Sequence, residues 1–283
     1  MKALVPTGDP AEPVKVAEVA DPRPRDGEAL VRVEAFSINR GETFLLERPK
    51  PGHRPGKDVA GRVVRPAADG TRPGVGARVV GHPMGGGWAE FVAVPADALA
   101  VPPDTVSAVQ GAALPLAGLT SLRLLRVAGP VLGRRVLLTG ASGGVGHYVT
   151  ELAANAGAHL TAVTRGRERA EGLVRLGASE IIHDVSDAGG TFDIVLESTG
   201  GTALPLALAR LARRGTLIWF GQASRTPAGL AGTRRDRRRV PRRNGRALRP
   251  RHNEDRAGLH DRGRRPRRRR MDLHGTHRPR RYL

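Results

Sequence analysis

The stretch TGASGGVG, residues 139–146, decides the fold, because four of its eight residues are glycines. It follows the apolar run RVLLT, residues 135–139, which has the pattern of a buried strand, and it leads into a helical pattern over residues 145–158. Glycines at such a junction allow a tight turn, and the helix that follows offers N–H groups to a pyrophosphate. We therefore predict a dinucleotide-binding turn, with a plain glycine-rich turn as the alternative. Its residues are Gly140, Ala141, Ser142, Gly143, Gly144, Val145 and Gly146.

Strand patterns alternate with helical patterns throughout the chain after residue 115. Such alternation is typical of a parallel sheet with helical crossovers. Five strands can be counted, whereas a complete dinucleotide-binding sheet usually has six. The predicted strands cover residues 135–140, 159–164, 180–185, 192–198 and 216–221, and the predicted helices cover residues 145–158, 167–178 and 203–215.

The first 115 residues have a different pattern, in which short alternating runs are separated by Pro- and Gly-rich turns. Many short strands with glycine-rich corners indicate a small barrel-like domain. We therefore predict an α/β protein with a β-rich domain over residues 1–115 and a doubly wound parallel sheet over residues 116–230, incomplete at its C-terminal end. The short runs cover residues 29–36, 59–64, 77–81 and 89–94.

The residues after the second predicted strand indicate which dinucleotide binds. NAD-binding sheets usually place an acidic residue there for the ribose 2′-hydroxyl, whereas an arginine suits a 2′-phosphate. Here Thr164, Arg165 and Arg167 occupy that place, and a charge-assisted hydrogen bond contributes roughly 1.5–3 kcal/mol. We therefore predict NADPH as the cofactor, with Arg165 as the main contact and Thr164 assisting. The alternative is that these arginines only solvate the start of a helix.

Four further segments, together with the glycine turn, carry a family resemblance. They resemble the zinc-independent quinone oxidoreductase branch of the medium-chain dehydrogenase/reductases, over residues 1 to about 230. The resemblance implies a GroES-like substrate domain packed against a Rossmann domain, with the substrate and the nicotinamide in the cleft between them. The segments are PRPRDGEALVRVEAFSINRGE (22–42), GTRPGVGARVVGH (70–82), GGGWAEFVAVPADALAVPP (85–103) and AALPLAGLTSLRLL (112–125).

The resemblance also implies roles for particular residues. Asn39 matches the family's cleft asparagine near the nicotinamide, and Thr120 matches a threonine that contacts the cofactor where the chain enters the Rossmann domain. Two further segments match loops that line the cofactor. They are Ser198, Thr199 and Gly200 after the fourth predicted strand, and Phe220, Gly221 and Gln222 at the end of the fifth.

The chain departs from the zinc-dependent members of the superfamily at both of their metal sites. Where those relatives have a cysteine this chain has Asn39–Arg40, and where they have a His-Glu pair it has Lys57–Asp58. The chain has no cysteine, so the four-cysteine structural site is missing as well. We therefore expect no bound metal. His53 and His82 stand near Pro/Gly turns, where a single histidine is usually a surface or packing residue.

A reaction without zinc constrains the substrate. A simple ketone needs a Lewis acid or a positioned proton donor for the developing alkoxide, whereas a quinone or an α,β-unsaturated carbonyl spreads the charge by conjugation. We therefore expect hydride transfer from NADPH to a quinone or an enone. Asn39 and Arg40 are the candidates for steadying the substrate oxygen, although Arg40 could instead pair with Glu42 or Asp58. Tyr148 is expected to pack, and water is expected to supply the proton.

Composition indicates the cellular compartment. No apolar run of 18 residues occurs, the N-terminus lacks the apolar core of a signal peptide, and cysteine is absent. We therefore expect a cytoplasmic protein without a membrane segment.

The formal net charge of +20 is concentrated in residues 231–283, which carry +16. These 53 residues contain 21 arginines, no lysine and only five Leu, Ile, Val or Phe residues, so we expect a disordered tail. Two interpretations remain open. One is a lost reading frame in a GC-rich gene, and the other is a basic arm that binds nucleic acid weakly and without sequence preference on an inactive reductase scaffold. In this family the sheet edge often forms the dimer contact, so the missing sixth strand puts an expected homodimer in question.

Overall fold

The computed structural model describes residues 1–229, which form two five-stranded sheets, a separate hairpin and six α-helices. The predictions for residues 231–283, namely a disordered tail, a shifted frame or a nucleic-acid-binding arm, lie outside these described residues. None of the helices in the described part is long and apolar enough to cross a membrane.

The first half of the chain builds an antiparallel sheet next to the hairpin. β1 and β2 form the hairpin, and the sheet has the order β6-β3-β4-β5-β7 with every neighbouring pair antiparallel. The elements are β1 (Lys2–Pro6), β2 (Val14–Glu18), β3 (Glu28–Phe36), α1 (Arg40–Glu47), β4 (Val59–Arg65), β5 (Arg78–Gly81), β6 (Phe91–Pro95), β7 (Leu99–Ala100) and α2 (Ala108–Ala112).

Alternation of apolar and polar residues gives this sheet one buried face. In β3, Ala29 and Val31 are fully buried while Arg32 is exposed, as expected for side chains that point to opposite faces. Two register irregularities between β3 and β4 bend the pair. The sheet is therefore curled around a valine-rich core, which confirms the predicted GroES-like fold class of this half.

The second half of the chain builds a parallel sheet with the order β10-β9-β8-β11-β12. The sheet grows outward from β8 in both directions, so its switch point lies between β8 and β11. The predicted doubly wound sheet and its five strands are confirmed within the described residues. The elements are α3 (Pro115–Ala128), β8 (Arg135–Thr139), α4 (Gly144–Asn155), β9 (His159–Val163), α5 (Ala170–Arg175), β10 (Glu180–Ile182), β11 (Phe192–Glu197), α6 (Ala203–Ala209) and β12 (Leu211–Trp219).

The central strands of this sheet are unbroken apolar runs because helices cover both faces. Leu138 in β8, Leu160 in β9 and Leu196 in β11 are fully buried and belong to one core cluster with Val149 of α4. This packing holds the carboxyl ends of β8, β9 and β11 in fixed positions along one edge of the sheet.

The prediction of a helix over residues 203–215 was wrong at its C-terminal end. The helix α6 stops at Ala209, because Leu211 pairs with Phe192 of β11 and begins β12. Arg214 has a φ of 65°, and regular pairing resumes at Thr216. Among the described strands β12 has a neighbour on one side only.

Candidate active site

The glycine turn makes a close connection between β8 and α4. A Cβ atom on Gly140, where φ is +64°, would lie 2.4 Å from Ser198 Oγ, and a Cβ on Gly146 would lie 2.3 Å from the carbonyl oxygen of Ala141. Neither position has room for a side chain. α4 begins at Gly144, and no side chain caps its first turn. The first N–H groups of the helix therefore remain as donors for an anion.

A cleft of about 340 Å³ opens at the carboxyl ends of β8, β9 and β11, where open α/β sheets bind their ligands. Five predicted cofactor residues line it, whereas Ala141 is fully buried and packs in the core. The five are Gly140, Ser142, Thr164, Arg165 and Thr199. Sequence reasoning missed a second set of lining residues, namely Gly166, Glu168, Arg169, His183, Asp184, Val185, Ala203, Ala223 and Ser224.

The hydroxyl of Thr164 is buried in the wall of this cleft. Thr164 is 3% exposed, and its Oγ1 has no hydrogen-bond partner among the described residues. The carbonyl oxygen of the same residue lies 2.8 Å from Nδ1 of His183. Because a carbonyl only accepts, Nδ1 of His183 carries the hydrogen, and Nε2 is the imidazole atom left for a ligand. The cleft therefore has an unpaired hydroxyl and a fixed imidazole side by side.

Acidic side chains share the cleft with two arginines, the predicted Arg165 and the unpredicted Arg169, whereas Arg167 does not line it. Glu168 and Asp184 line it together with Arg165 and Arg169. Hydrogen bonds from the backbone and the side chain of Ser186, together with the positive charge of Arg165, hold the pKa of Asp184 below its ordinary value. The cleft is therefore less positive than the sequence around Arg165 alone indicates. The sequence contained a signal for these acidic residues, because residues that follow neighbouring parallel strands meet at one edge of the sheet.

The loop after β11 is held by a buried carboxylate. Glu197 is fully buried, and its Oε1 accepts hydrogen bonds from Thr199 N at 2.7 Å, Gly200 N at 3.0 Å and Thr139 Oγ1 at 3.1 Å. Ser198 donates from its Oγ to the carbonyl oxygen of Thr139 at 2.9 Å. The predicted residues 198–200 are thus fastened to the end of β8 next to the glycine turn. Sequence reasoning did not identify Glu197.

The three predicted residues at the end of the fifth strand have different surroundings. Phe220 packs partly buried against the core, and Gln222 donates to the carbonyl oxygen of Thr226 at 3.1 Å. A Cβ on Gly221 would lie 2.8 Å from the carbonyl oxygen of Ser198, so this glycine permits a close approach of the two loops. The following Ala223 and Ser224 line the cleft instead.

Thr120 lies on α3, which packs against the first turn of α4. Ser121, the next residue, is fully buried, and its Oγ lies 2.8 Å from Ala117 O and 3.0 Å from Val145 O, so these two carbonyl oxygens share its single hydrogen. Ala117 Cβ would be 3.7 Å from a Cβ on Gly144. Thr120 follows Ala117 by one helical turn on the same side of α3, next to the start of α4.

A second polar cluster surrounds Asn39 at the start of α1. Its Nδ2 lies 2.7 Å from Oδ2 of Asp58, which also accepts from Ser37 Oγ at 2.7 Å. The backbone N–H of Asn39 donates to Glu42 Oε2 at 2.9 Å. Asp58 and Glu42 are both buried, so Asn39 is held between two carboxylates.

Arg40 is directed away from these carboxylates. Its guanidinium lies 4.9 Å from the centre of the Phe44 ring, and its Nη2 donates to the carbonyl oxygen of Ala223 at 3.4 Å. Among the described residues Arg40 forms no ion pair with Glu42 or Asp58, so the alternative pairing is wrong. Arg40 instead connects the start of α1 to the loop of Ala223, which lines the cleft.

Tyr148 of α4 packs near the junction of the two halves. Its hydroxyl donates to the carbonyl oxygen of Ala113 at 3.3 Å. Burial, followed by the negative charges of Glu151 and Asp58, raises the pKa of Tyr148 above its ordinary value. The phenol therefore stays protonated, which agrees with a packing role.

The two histidines of the first half lie apart from any cluster of metal ligands. His82 directs Nδ1 to the carbonyl oxygen of Lys57 at 2.7 Å, with Asp58 Oδ1 3.5 Å away. His53 has a buried Nε2 without a partner in the described part. Within residues 1–229, no group of three or more His, Cys, Asp or Glu side chains is arranged to hold a metal ion.

A curled antiparallel sheet, followed by a doubly wound sheet with a glycine turn at its switch point, defines a two-domain nucleotide-dependent dehydrogenase or reductase. Residues 25–104 match the alcohol dehydrogenase GroES-like domain, and residues 144–236 match a model described as zinc-binding dehydrogenase. The chloroplastic quinone-oxidoreductase homolog of Spinacia oleracea is 32% identical over 235 residues, which cover 75% of this chain and 71% of that protein. The chloroplast envelope quinone oxidoreductase homolog of Arabidopsis thaliana is 34% identical, with the same coverage of both chains.

Solved structures give the same assignment. The quinone oxidoreductase of Thermus thermophilus, also determined in complex with NADPH, aligns with a TM-score of 0.68 and 29% identity over 82% of this chain and 76% of that one. The chain belongs to the quinone oxidoreductase branch of the medium-chain dehydrogenase/reductase superfamily, and it is therefore an oxidoreductase. The family resemblance inferred from the sequence is confirmed.

Proposed function

We propose that this chain is an NADPH-dependent reductase that acts on a quinone or an α,β-unsaturated carbonyl without zinc. The observation that carries the proposal is the buried, unpaired hydroxyl of Thr164 beside Arg165 in the cleft. A buried polar group without a partner costs free energy, and a ligand that bonds to it removes that cost. The 2′-phosphate of NADPH offers acceptor oxygens to both side chains.

The rest of the cleft fits the pyrophosphate of the same cofactor. The uncapped first turn of α4 offers N–H donors, and Ser142 and Thr199 line the cleft beside Gly140. The relatives named as quinone oxidoreductases, and the NADPH complex of the Thermus thermophilus protein, support the same cofactor. Thr164, Arg165, Ser142 and the glycine turn are the residues that would hold NADPH.

NADPH, when bound, supplies the hydride. The chain must then stabilise the charge that the substrate oxygen gains. Arg40 has guanidinium N–H groups to spare for this role, because its hydrogen bond among the described residues is the single contact with Ala223. Water supplies the proton that completes the hydroquinone or the saturated carbonyl, since the Tyr148 hydroxyl is engaged with Ala113.

Zinc independence is supported by the chemistry of the side chains around Asn39. Both oxygens of Asp58 accept hydrogen bonds from protein donors, Oδ2 from Ser37 and Asn39 and Oδ1 from Leu116 N at 2.8 Å. Tetrahedral zinc sites use thiolates, imidazoles and free carboxylates, and the sequence has no cysteine. A carboxylate already satisfied in this way is a poor metal ligand.

We also propose how the chain is divided into domains. We propose a substrate domain over residues 1–115 and a cofactor domain over residues 116–230, because β7 ends at Ala100 and α3 begins at Pro115. We also propose a homodimer through the edge of β12 that has no neighbour among the described strands, where Trp219 is 50% exposed. Sedimentation of the full chain tests this dimer. A cytoplasmic location is proposed from the absence of cysteine.

A thermal melt of the full chain tests the cofactor assignment. Each sample contains NADPH, NADH or no dinucleotide. A ligand at 100 times its dissociation constant stabilises the folded state by about 2.7 kcal/mol, so we expect NADPH to raise the melting temperature more than NADH. A cooperative melt that neither dinucleotide moves, or that both move equally, would contradict the proposal.

A further inference from the structure

His183 lies in the cofactor cleft directly after β10, and the proposed function gives it no role. It lines the cleft together with Thr164 and Arg165, the two residues proposed to hold the 2′-phosphate. Its Nδ1 lies 2.8 Å from the carbonyl oxygen of Thr164, and its Nε2 has no hydrogen-bond partner among the described residues. The imidazole is therefore anchored at one nitrogen, and the other is left for a ligand next to the proposed phosphate site.

This anchor decides which ligand groups each form of the imidazole can bind. A carbonyl oxygen only accepts hydrogen bonds, so Nδ1 of His183 carries a hydrogen in both the neutral and the charged form. In the neutral form Nε2 is then an acceptor, whereas in the charged form it is a second donor. Nε2 of neutral His183 can therefore accept a hydrogen bond from a ligand but cannot donate one.

NADH and NADPH differ at the group for which this restriction matters. NADH has a ribose 2′-hydroxyl, which can donate its hydrogen to a neutral imidazole nitrogen. The 2′-phosphate of NADPH is a phosphate monoester, which carries a charge of about −1.5 to −2 at pH 7 and presents acceptor oxygens. Two acceptors form no hydrogen bond, so a bond between Nε2 of His183 and this phosphate requires one added proton. Contact with NADPH therefore takes up a proton, and contact with NADH does not.

We propose that His183 is a specificity-determining residue, which contacts the 2′-phosphate of NADPH in its charged form, so that the preference for NADPH over NADH strengthens as the pH falls. The proposal rests on the proposed function, because it requires the phosphate to lie at Thr164 and Arg165. A histidine suits this role, since its charge ordinarily changes between about pH 5 and pH 8. An arginine stays charged throughout that range, so arginines alone would give a preference that does not respond to pH.

The charges around His183 in the cleft are balanced. The lining residues from the turn after β8, the loop after β11, α6 and the loop after β12 are uncharged. Glu168 Oε1 lies 3.6 Å from Nε of Arg169, and Asp184 accepts hydrogen bonds from the N–H and the hydroxyl of Ser186, both at 2.8 Å. The phosphate is therefore the added charge that favours the charged imidazole in the complex. The charged lining residues are Arg165 after β9, Glu168 and Arg169 in the turn 167–169, and Asp184 after β10.

Dinucleotide affinities measured over a series of pH values test the proposal. Fluorescence titration of the full chain gives the dissociation constants of NADPH and NADH from about pH 6.5 to about pH 8.5. One proton linked to binding changes a dissociation constant by at most about tenfold for each pH unit. We expect the constant for NADPH to rise several-fold toward alkaline pH, and the constant for NADH to stay within about twofold. A ratio of the two constants that does not change with pH would overturn the proposal.

His183→Gln keeps a polar side chain but removes the titration. At about pH 6.5 we expect NADPH to bind about tenfold to hundredfold more weakly than to the wild type, the value of a hydrogen bond between charged groups, with NADH nearly unchanged. The phosphate titrates in the same way in both experiments, so the difference between the two proteins reports His183. His159→Gln, at the exposed start of β9 and thus at the opposite end of that strand from Thr164, is the matched control and should keep the wild-type pH dependence. Equal losses for NADPH and NADH in His183→Gln would indicate contact with a part that both dinucleotides share, and would overturn the proposal.

Proton uptake by the wild-type protein provides a test that needs no variant. Calorimetric titration at about pH 7.5, in two buffers that differ in ionisation enthalpy, gives the number of protons bound with each dinucleotide. We expect a substantial fraction of one proton for NADPH and almost none for NADH, and equal uptake would overturn the proposal even if His183→Gln fails to fold. A steady preference for NADPH without proton uptake would contradict only the role of His183. A folded chain that prefers NADPH at no pH would contradict the proposed function as well.

Discussion

His183 donates from Nδ1 to the carbonyl oxygen of Thr164 over 2.8 Å, which fixes the ends of β9 and β10 side by side. The bond holds three groups in one wall of the cleft, namely the Thr164 hydroxyl, which has no partner among the described residues, the Arg165 side chain and the imidazole. We therefore expect this wall to recognise the 2′-phosphate of NADPH.

Arg165→Ala should weaken the binding of NADPH about tenfold to hundredfold while leaving NADH nearly unchanged, because only NADPH carries the phosphate that pairs with the guanidinium. Fluorescence titration with each dinucleotide measures both affinities. The matched control is Arg175→Ala, whose side chain is 74% exposed on α5. An unchanged ratio of the two affinities would show that Arg165 only solvates the chain after β9.

Thr164→Val separates a ligand contact from a structural one. The hydroxyl has no partner among the described residues, so its removal should leave the melting temperature equal or slightly higher. NADPH affinity should fall about tenfold to hundredfold, the value of one hydrogen bond to a charged phosphate oxygen. A clear loss of stability without a loss of affinity would mean that Thr164 serves the fold rather than the cofactor.

Alanine substitutions at two glycines of the turn, Gly144 and Gly146, should have different effects on stability and on NADPH binding. Gly146→Ala places a Cβ 2.3 Å from the carbonyl oxygen of Ala141, so we expect a loss of about 1–3 kcal/mol in the free energy of unfolding. Gly144→Ala meets only Ala117 at 3.7 Å and should fold normally, with weaker NADPH binding because a methyl group then stands at the uncapped turn. Urea unfolding compares the two, and equal losses of stability would count against this account of the turn.

Tyr148→Phe tests whether the phenol supplies the proton. We expect kcat to stay within about twofold of the wild type, because the hydroxyl is engaged with Ala113. Burial raises the pKa of Tyr148, so its contribution to stability is complete below the ordinary tyrosine pKa and is lost as the pH rises through the raised value. The variant should therefore lose less stability at alkaline pH. A drop in kcat of more than about tenfold would identify Tyr148 as a proton donor.

The sequence was sufficient to predict features that lie within one contiguous segment. The turn at residues 139–146 and the buried strand before it form a local pattern, and Thr164 and Arg165 directly follow the next strand. The helix α1 was not predicted, because its eight residues are too few to show a clear period.

Features that depend on the order of strands were missed. His183 and Asp184 face Arg165 only because β10 lies next to β9 in the sheet. Asp58 meets Asn39 across 19 residues of chain, and no local pattern connects them. The sequence could therefore nominate Asn39 as a site residue, but only the contacts with Asp58 and Glu42 show how its amide is held.

The most direct test of the account is the oxidation of NADPH by the full chain with a simple quinone as acceptor, compared with NADH under the same conditions. Absorbance of the reduced nicotinamide follows the reaction, and the Arg165→Ala variant is measured in parallel. The account predicts quinone-dependent oxidation that prefers NADPH in the wild type and loses that preference in the variant. A chain that melts cooperatively and binds NADPH, yet oxidises neither dinucleotide with a quinone or an enone, would contradict it.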